Sequence, residues 1–100
     1  MMRNFRTFYF AVQFYRLAAT LNIRGHLKEQ LSRASASIAL NLAEGRGKPT
    51  RKDQMRFFHI AMGSIRECQA ILMLSNSEGT AAWSSLDSLA AHLYKLIEQA

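Results

Sequence analysis

The sequence predicts an all-α protein that folds as an antiparallel, up-down four-helix bundle. Four segments of the 100-residue chain repeat their apolar residues at helical spacing, and short connections separate them. Five glycines and one proline are too few for the many turns of an all-β fold, and a hydrophobic content of 49% argues against disorder. The length suits a single domain, residues 1–100, with one modest core.

The first helix is predicted at about residues 4–21 and is apolar around most of its circumference. Its thin polar stripe consists of Arg6, Gln13, Arg16 and Thr20. A helix of this kind must be buried on more than one side. We therefore expect it to lie both in the core and in a contact between copies, which makes the protein a homo-oligomer.

The second helix is predicted at about residues 24–44. Its apolar residues recur at steps of three and four, and they are Leu27, Leu31, Ala34, Ile38 and Leu42. Gly45 and Gly47 are predicted to end the helix, because glycine is the common residue just beyond a helix C-terminus. Pro49 then prevents the helix from resuming.

The third and fourth helices are predicted at about residues 51–76 and 80–99. Thr50 and Thr80 are placed to cap their N-termini, and Asp53 stands three residues after Thr50, as in a capping box. The apolar stripes are Phe58, Ala61, Ile65, Cys68 and Leu72 in the third helix, and Trp83, Leu86, Ala90, Leu93 and Ile97 in the fourth. Short connections between four such helices favour antiparallel neighbours.

The net charge of +6 and the isoelectric point near 10.1 favour an anionic partner. The charge is unevenly distributed along the chain. Residues 1–33 carry six basic and one acidic side chain, residues 34–66 carry six and two, and residues 67–100 carry one and four. A surface that binds an anionic partner is therefore expected in the first two-thirds of the chain.

Five basic residues fall within eleven positions, across the connection between the second and third helices. They are Arg46, Lys48, Arg51, Lys52 and Arg56. Basic side chains grouped in this way neutralise phosphates and bind nucleic acid without reading its sequence. A solvated surface that only keeps the protein soluble, or a surface for an acidic protein, would carry the same pattern, and the residues alone leave these alternatives open.

A polar row on the second helix predicts hydrogen bonds to the third helix. The row consists of Arg33, Ser37, Asn41 and Glu44, and its possible partners on the third helix are Ser64 and Glu67. A buried network of these groups would fix the register of the two helices, because an unsatisfied buried member is costly. An exposed polar face is the alternative reading.

The sequence predicts no catalytic, cofactor-binding or metal-binding residues. It has no HExxH motif and no local pairing of cysteine with histidine, so we expect a protein that is not an enzyme. Its single cysteine, Cys68, excludes both an intrachain disulfide and a cysteine-based zinc cluster, and is expected in the core. No apolar run is long enough to span a membrane. We expect a cytoplasmic protein that needs no cofactor.

Two stretches resemble the four-helix-bundle proteins encoded in intervening sequences of 23S ribosomal RNA. The first stretch, residues 33–45, matches the family pattern through Arg33, Ala34, Ser37, Ile38, Asn41, Ala43, Glu44 and Gly45. The second, residues 57–67, matches it through Phe57, Ile60, Ala61, Gly63, Ser64 and Glu67. Leu42 stands where the family usually has isoleucine, and Ala39 where proline is frequent.

The resemblance implies small up-down bundles that assemble into homopentameric, barrel-like rings. A related branch of proteins assists the reverse transcriptases of diversity-generating retroelements and presents a basic surface to nucleic acid. No catalytic residues are established for the family pattern. We therefore expect a non-catalytic protein that binds RNA or DNA, with RNA linked to the ribosomal locus as the first candidate. The alternative is a protein-interaction scaffold or an accessory subunit, for example of a reverse transcriptase.

Overall fold

The computed structural model describes residues 5–99, and it contains four helices in series. They are α1 (Arg6–Ala19), α2 (Gly25–Arg46), α3 (Arg51–Leu74) and α4 (Ala81–Glu98). Each helix packs against the next, and α4 also packs against α1, so the four form a closed ring elongated to 40 Å. The predicted four-helix bundle is thus confirmed. The predicted beginning of the first helix at residue 4 lies outside the described residues.

The core lies along the axis of this ring and uses the apolar stripes of the sequence. All five predicted stripe residues of α3 are buried, as are four of the five on α2, while Leu27 is half-buried. On α4 the buried positions are Ala82, Leu86, Leu89 and Leu93. Trp83, Ala90 and Ile97 are only partly buried, so the inward face of α4 is rotated slightly from the one predicted.

The two threonine caps are confirmed. Thr50 Oγ1 accepts a hydrogen bond from the backbone N–H of Asp53 at 3.2 Å, and Thr80 Oγ1 accepts one from Trp83 at 3.3 Å. At its other end α3 stops two residues before the predicted boundary. Asn76 has φ of 57° there, and the N–H of Ser77 reaches back to the Leu72 carbonyl at 2.7 Å. Asparagine tolerates this left-handed conformation, which closes the helix.

Gly45 does not end α2, contrary to the prediction. The helix runs through it to Arg46, and Gly45 is buried against α3. A Cβ atom at this position would lie 2.8 Å from Cε1 of Phe58 and 3.0 Å from Cβ of Phe57. The residue is glycine because the side chains of Phe57 and Phe58 lie against the backbone of α2 here, a cause that local sequence signals do not distinguish from a helix stop.

The bundle buries one side of α1 and leaves Tyr9 and Tyr15 exposed, so the predicted contact of α1 with a second copy stays a prediction. Thr7, Ala11, Phe14 and Ala18 are buried, and the flanking Phe8, Phe10 and Leu17 pack partly against the core. The largest exposed aliphatic side chains lie on α2 and α3, where Leu40 is 68% and Leu74 70% exposed. Within residues 5–99, no helix is both long and apolar enough to cross a membrane.

Candidate nucleic-acid interface

The five predicted basic residues lie where α2 ends and α3 begins. We name this end of the molecule, defined by Arg46, Lys48, Arg51, Lys52 and Arg56, the basic end. Because the helices alternate in direction, the N-terminus of α1 and the C-terminus of α4 lie there too. Contacts from Arg46 to Phe5 and from Arg51 to Leu96 show this directly.

The close approach of α2 to α3 at Gly45 shapes the basic end. It brings the last turn of α2 against Phe57 and Phe58 at the start of α3. The connection is held by the side-chain amide of Gln54, which donates to the Lys48 carbonyl at 2.9 Å. The cations of the connection are therefore carried by an ordered turn.

Three of the five cations lie over aromatic rings. The Cζ atom of Arg46 is 4.8 Å from the ring centre of Phe5. Cζ of Arg56 lies 4.6 Å, and Nζ of Lys48 5.2 Å, from the ring centre of Phe57. All three distances are within the 6 Å or so over which a ring attracts a cation. The rings thus hold otherwise flexible side chains in place.

Arg51 points into the protein and is not a free surface cation. Its guanidinium donates to the backbone carbonyls of Leu96 and Ile97, both at 3.1 Å, and its side chain is half-buried. The last carbonyls of a helix have no partner within the helix, so Arg51 supplies one for the end of α4. This residue connects α3 to α4, in contrast to the binding role predicted for it.

The remaining cations differ in how available they are. Lys48 pairs with Glu44 one helical turn away, with 3.0 Å between Nζ and Oε2. Arg46, Lys52 and Arg56 are exposed, and none of the three pairs with a carboxylate belonging to residues 5–99. The basic end therefore offers three uncompensated positive charges and one that is partly compensated.

The structure brings together most of the predicted polar network between α2 and α3. Ser37 Oγ and Ser64 Oγ lie 3.0 Å apart, and the amide of Asn41 donates to Ser37 Oγ at 3.0 Å and to the Ser37 carbonyl at 2.9 Å. One end of the seam is an ion pair between Arg33 and Glu67 at 2.7 Å. The serines and Asn41 are at least partly buried, whereas Arg33 is exposed.

Glu44 lies outside that network. It is the fourth member of the predicted row, but its carboxylate turns to Lys48 at the end of α2 and is exposed. Gly45 next to it takes the position facing α3. The polar seam therefore ends at Asn41, and Glu44 belongs to the basic end.

Cys68 lies in the core, as expected. It is fully buried on α3, and this burial raises the pKa of its thiol to about 12, with the Glu67 carboxylate adding to the shift and Arg33 opposing it. A thiol with such a pKa is protonated and unreactive at neutral pH. Cys68 is thus a packing residue in the folded protein.

Two cavities lie between neighbouring helices of the described residues. An apolar cavity of about 100 Å³ lies between α1 and the start of α2, next to Ala18 and Leu31. A more open groove of about 410 Å³ runs between α3 and α4, next to Met62, Arg66 and Tyr94. Over residues 5–99, no three His, Cys, Asp or Glu side chains come together in a group that could hold a metal ion.

Sequence reasoning missed the two phenylalanines that support the cations. Phe57 follows Arg56 directly, and this adjacency is a local signal that basic and aromatic residues are interleaved. Phe5 lies 41 residues before Arg46 in the chain, so only the packing of α1 against the end of α2 shows this contact. Both rings are part of the candidate interface through the arginines they hold.

Comparison with known proteins places this chain in a family. No curated protein matches it. The family model described as "23S rRNA-intervening sequence protein" matches residues 6–99, which includes all four helices, the basic end and the polar seam. The chain therefore belongs to the 23S rRNA-intervening sequence protein family.

Proposed function

We propose that the protein binds the phosphate backbone of nucleic acid through its basic end, without catalysing a reaction. The observation that carries this proposal is the group of exposed cations Arg46, Lys52 and Arg56, none of them neutralised by a carboxylate of residues 5–99. Lys48 adds a fourth positive charge, which could contact a phosphate while it remains paired with Glu44. Binding by charge alone needs no nucleophile, cofactor or metal.

RNA is the first ligand to test. The family is named for intervening sequences of 23S rRNA, so RNA from such a locus is a natural candidate for a basic member. Arg51 has a supporting role in this proposal, since it holds α4 against the surface that carries the other cations. The charges that contact phosphates number three to four in each protomer.

The binding affinity is expected to fall steeply as salt is added, because phosphate contacts release counterions. Three to four contacts predict a roughly 20- to 50-fold loss of affinity for single-stranded RNA between 50 and 200 mM salt. Fluorescence anisotropy with a labelled oligonucleotide measures the affinity at each salt concentration. In the double variant Lys52→Ala/Arg56→Ala, the slope of log K against log salt should flatten by about 1.4.

The matched control for this experiment is the double variant Arg24→Ala/Lys28→Ala. It removes the same amount of charge from exposed positions at the opposite end of the bundle. Its salt slope should stay close to that of the wild-type protein. Equal losses in the two double variants, or no binding at 50 mM salt, would contradict the proposal and favour a role as a protein-interaction scaffold or as an accessory subunit of a reverse transcriptase.

We further propose that the protein works as a homo-oligomer, with a pentamer favoured by the resemblance to ring-forming bundles. The supporting observation is an apolar patch on the outside of the α2–α3 pair. Leu40 is 68% and Ile60 44% exposed, and they lie one turn from the paired Ser37 and Ser64. A contact between copies at this patch would remove both side chains from water, which would stabilise the assembly.

Sedimentation velocity at micromolar concentration tests the assembly. The wild-type protein is expected to sediment as an oligomer, and the variant Leu40→Gln/Ile60→Gln as smaller species, because the patch has lost its apolar surface. Leu74→Gln is the control, since Leu74 is 70% exposed near the far end of α3. A wild-type monomer at these concentrations would contradict the proposal.

A further inference from the structure

We propose that the basic end selects unpaired nucleobases, which stack on the guanidinium groups of Arg46 and Arg56, so that single-stranded nucleic acid is preferred to duplex. This inference rests on the proposed function and names its ligand class. It starts from the two arginine–phenylalanine contacts of the basic end. These contacts hold two planar guanidinium groups at the basic end. A phosphate uses only their charge, whereas a base could also use their flat surfaces.

Each of the two guanidinium groups is held from one side. Arg46 lies over the ring of Phe5, with 4.8 Å from Cζ to the ring centre, and Arg56 lies over Phe57 at 4.6 Å. Both arginine residues are exposed, so a ligand in solvent can reach them. A planar guanidinium group is one of the surfaces on which proteins stack unpaired bases.

The rings act as supports rather than as stacking surfaces themselves. Phe5 is buried, with 3% of its surface exposed. Phe57 is half-buried and lies beneath both Arg56 and Lys48, so its ring is covered by cations. The planar surfaces offered to a ligand are therefore those of the arginines.

Holding the two arginines in place lowers the entropic cost of binding. A free arginine side chain must be ordered when a base stacks on it, whereas a side chain already resting on a ring loses less freedom. Lys52 gives the contrast on the same helix: it is exposed, has no ring contact among residues 5–99, and has no planar group. Lys52 can attract a phosphate but offers no surface to a base.

A duplex cannot use these surfaces. Its bases are stacked on each other inside the helix, and in RNA the major groove is too deep and narrow for side chains to read. A duplex therefore meets Arg46 and Arg56 only through its phosphates. A single strand gains the same phosphate contacts and the stacking of its bases in addition.

The test compares ligands of equal charge. Wild-type protein is titrated at fixed salt with a 12-nucleotide single strand of thymidines and with an abasic strand of the same length, in which every base is missing. We expect the base-bearing strand to bind at least about fivefold more tightly, which is the low end of what the stacking of a single base gives. The salt slopes of the two strands should be the same, since their phosphates are equal in number.

Arg56→Lys is the decisive variant, because it keeps the charge and removes the planar group at an exposed position that the fold does not need. It should lose a large part of the preference for the base-bearing strand and keep the salt slope. Lys52→Arg is the matched control, since it exchanges the same two head groups where no ring provides support, and it should leave the preference unchanged. Phe57→Leu, checked for folding by circular dichroism, should act like Arg56→Lys.

The outcomes separate this inference from the function on which it rests. Equal affinity for the two strands, or a preference that survives in Arg56→Lys, together with a steep salt slope, would overturn the stacking inference and leave phosphate binding in place. Because a 12-base-pair duplex carries about twice the phosphates of the thymidine strand, its affinity is compared between the wild-type protein and Arg56→Lys. An equal loss of affinity for the duplex and for the thymidine strand would overturn the stacking inference as well. Absence of binding to all three ligands at low salt would overturn both.

Discussion

Replacing Arg51 with alanine is expected to destabilise the bundle by about 1.5–3 kcal/mol. The guanidinium donates to the carbonyls of both Leu96 and Ile97 at 3.1 Å, and the side chain is half-buried between α3 and the end of α4. Hydrogen bonds from a charged donor contribute more than neutral ones, and these two satisfy carbonyls that α4 itself cannot pair. Urea denaturation followed by circular dichroism measures the loss.

The neighbouring residue supplies the control. Lys52→Ala removes the same charge from an exposed side chain one position along α3, and it should change stability by no more than about 0.5 kcal/mol. For the affinity for nucleic acid the expectation is reversed: Lys52→Ala should weaken binding more than Arg51→Ala. Lys52 is free to contact phosphate, whereas Arg51 is engaged within the protein. Equal effects of the two substitutions on stability would show that Arg51 does not hold α4 as described.

Replacing Gly45 and Gly63 with alanine is expected to change stability in opposite directions. At Gly45 the new Cβ would lie 2.8 Å from Cε1 and 3.0 Å from Cδ1 of Phe58, and also 3.0 Å from Cβ of Phe57. Overpacking of this kind costs about 1–3 kcal/mol, which exceeds the gain of about 1 kcal/mol that alanine brings to a helix interior. Gly45→Ala is therefore expected to be destabilising.

Gly63 is the matched control for Gly45, because a Cβ atom added there would meet no neighbouring side chain. It lies in the interior of α3, and nothing stands within 4 Å of the Cβ position. Gly63→Ala should therefore stabilise the bundle by about 1 kcal/mol. For a domain of this size each kcal/mol shifts the melting temperature by about 4–8 °C, so thermal denaturation should separate the two variants clearly.

The two glycine variants also report on assembly and on the basic end. Gly63 precedes Ser64 on the face proposed for contact between copies, so dilute and concentrated samples should be compared. Higher stability of Gly63→Ala when dilute, with weaker assembly when concentrated, would place the contact on this face. A Gly45→Ala protein as stable as the wild type would show that Phe57 and Phe58 can move, and that the basic end is less firmly held than its distances indicate.

Local sequence patterns were sufficient for most of the fold. The apolar spacing of residues such as Ile38, Ile65 and Leu72 indicates which face of each helix is buried, because helical periodicity and burial are linked directly. The caps at Thr50 and Thr80 involve groups three residues apart. Pairing of Glu44 with Lys48 was also within reach, since the two residues are only four positions apart, across the end of α2.

The candidate site was predictable as a group of residues but not as a set of roles. Counting charges along the chain treats Arg51 and Lys52 alike, although one points inward and the other outward. The partner of Arg51 lies 45 residues later in the chain, and the ring beneath Arg46 lies 41 residues earlier. Contacts at such separations depend on how the helices pack, and no local spacing encodes them.

The sequence by itself determined that the chain is a basic four-helix bundle, because periodicity, capping and charge are local properties of the chain. Tertiary structure decided what the individual residues at the basic end do. It placed Gly45 in a close contact between helices, turned Arg51 toward the end of α4, and set Arg46 and Arg56 on aromatic rings. The physical reason is that these roles depend on distances between helices, which exist only once the four helices have packed.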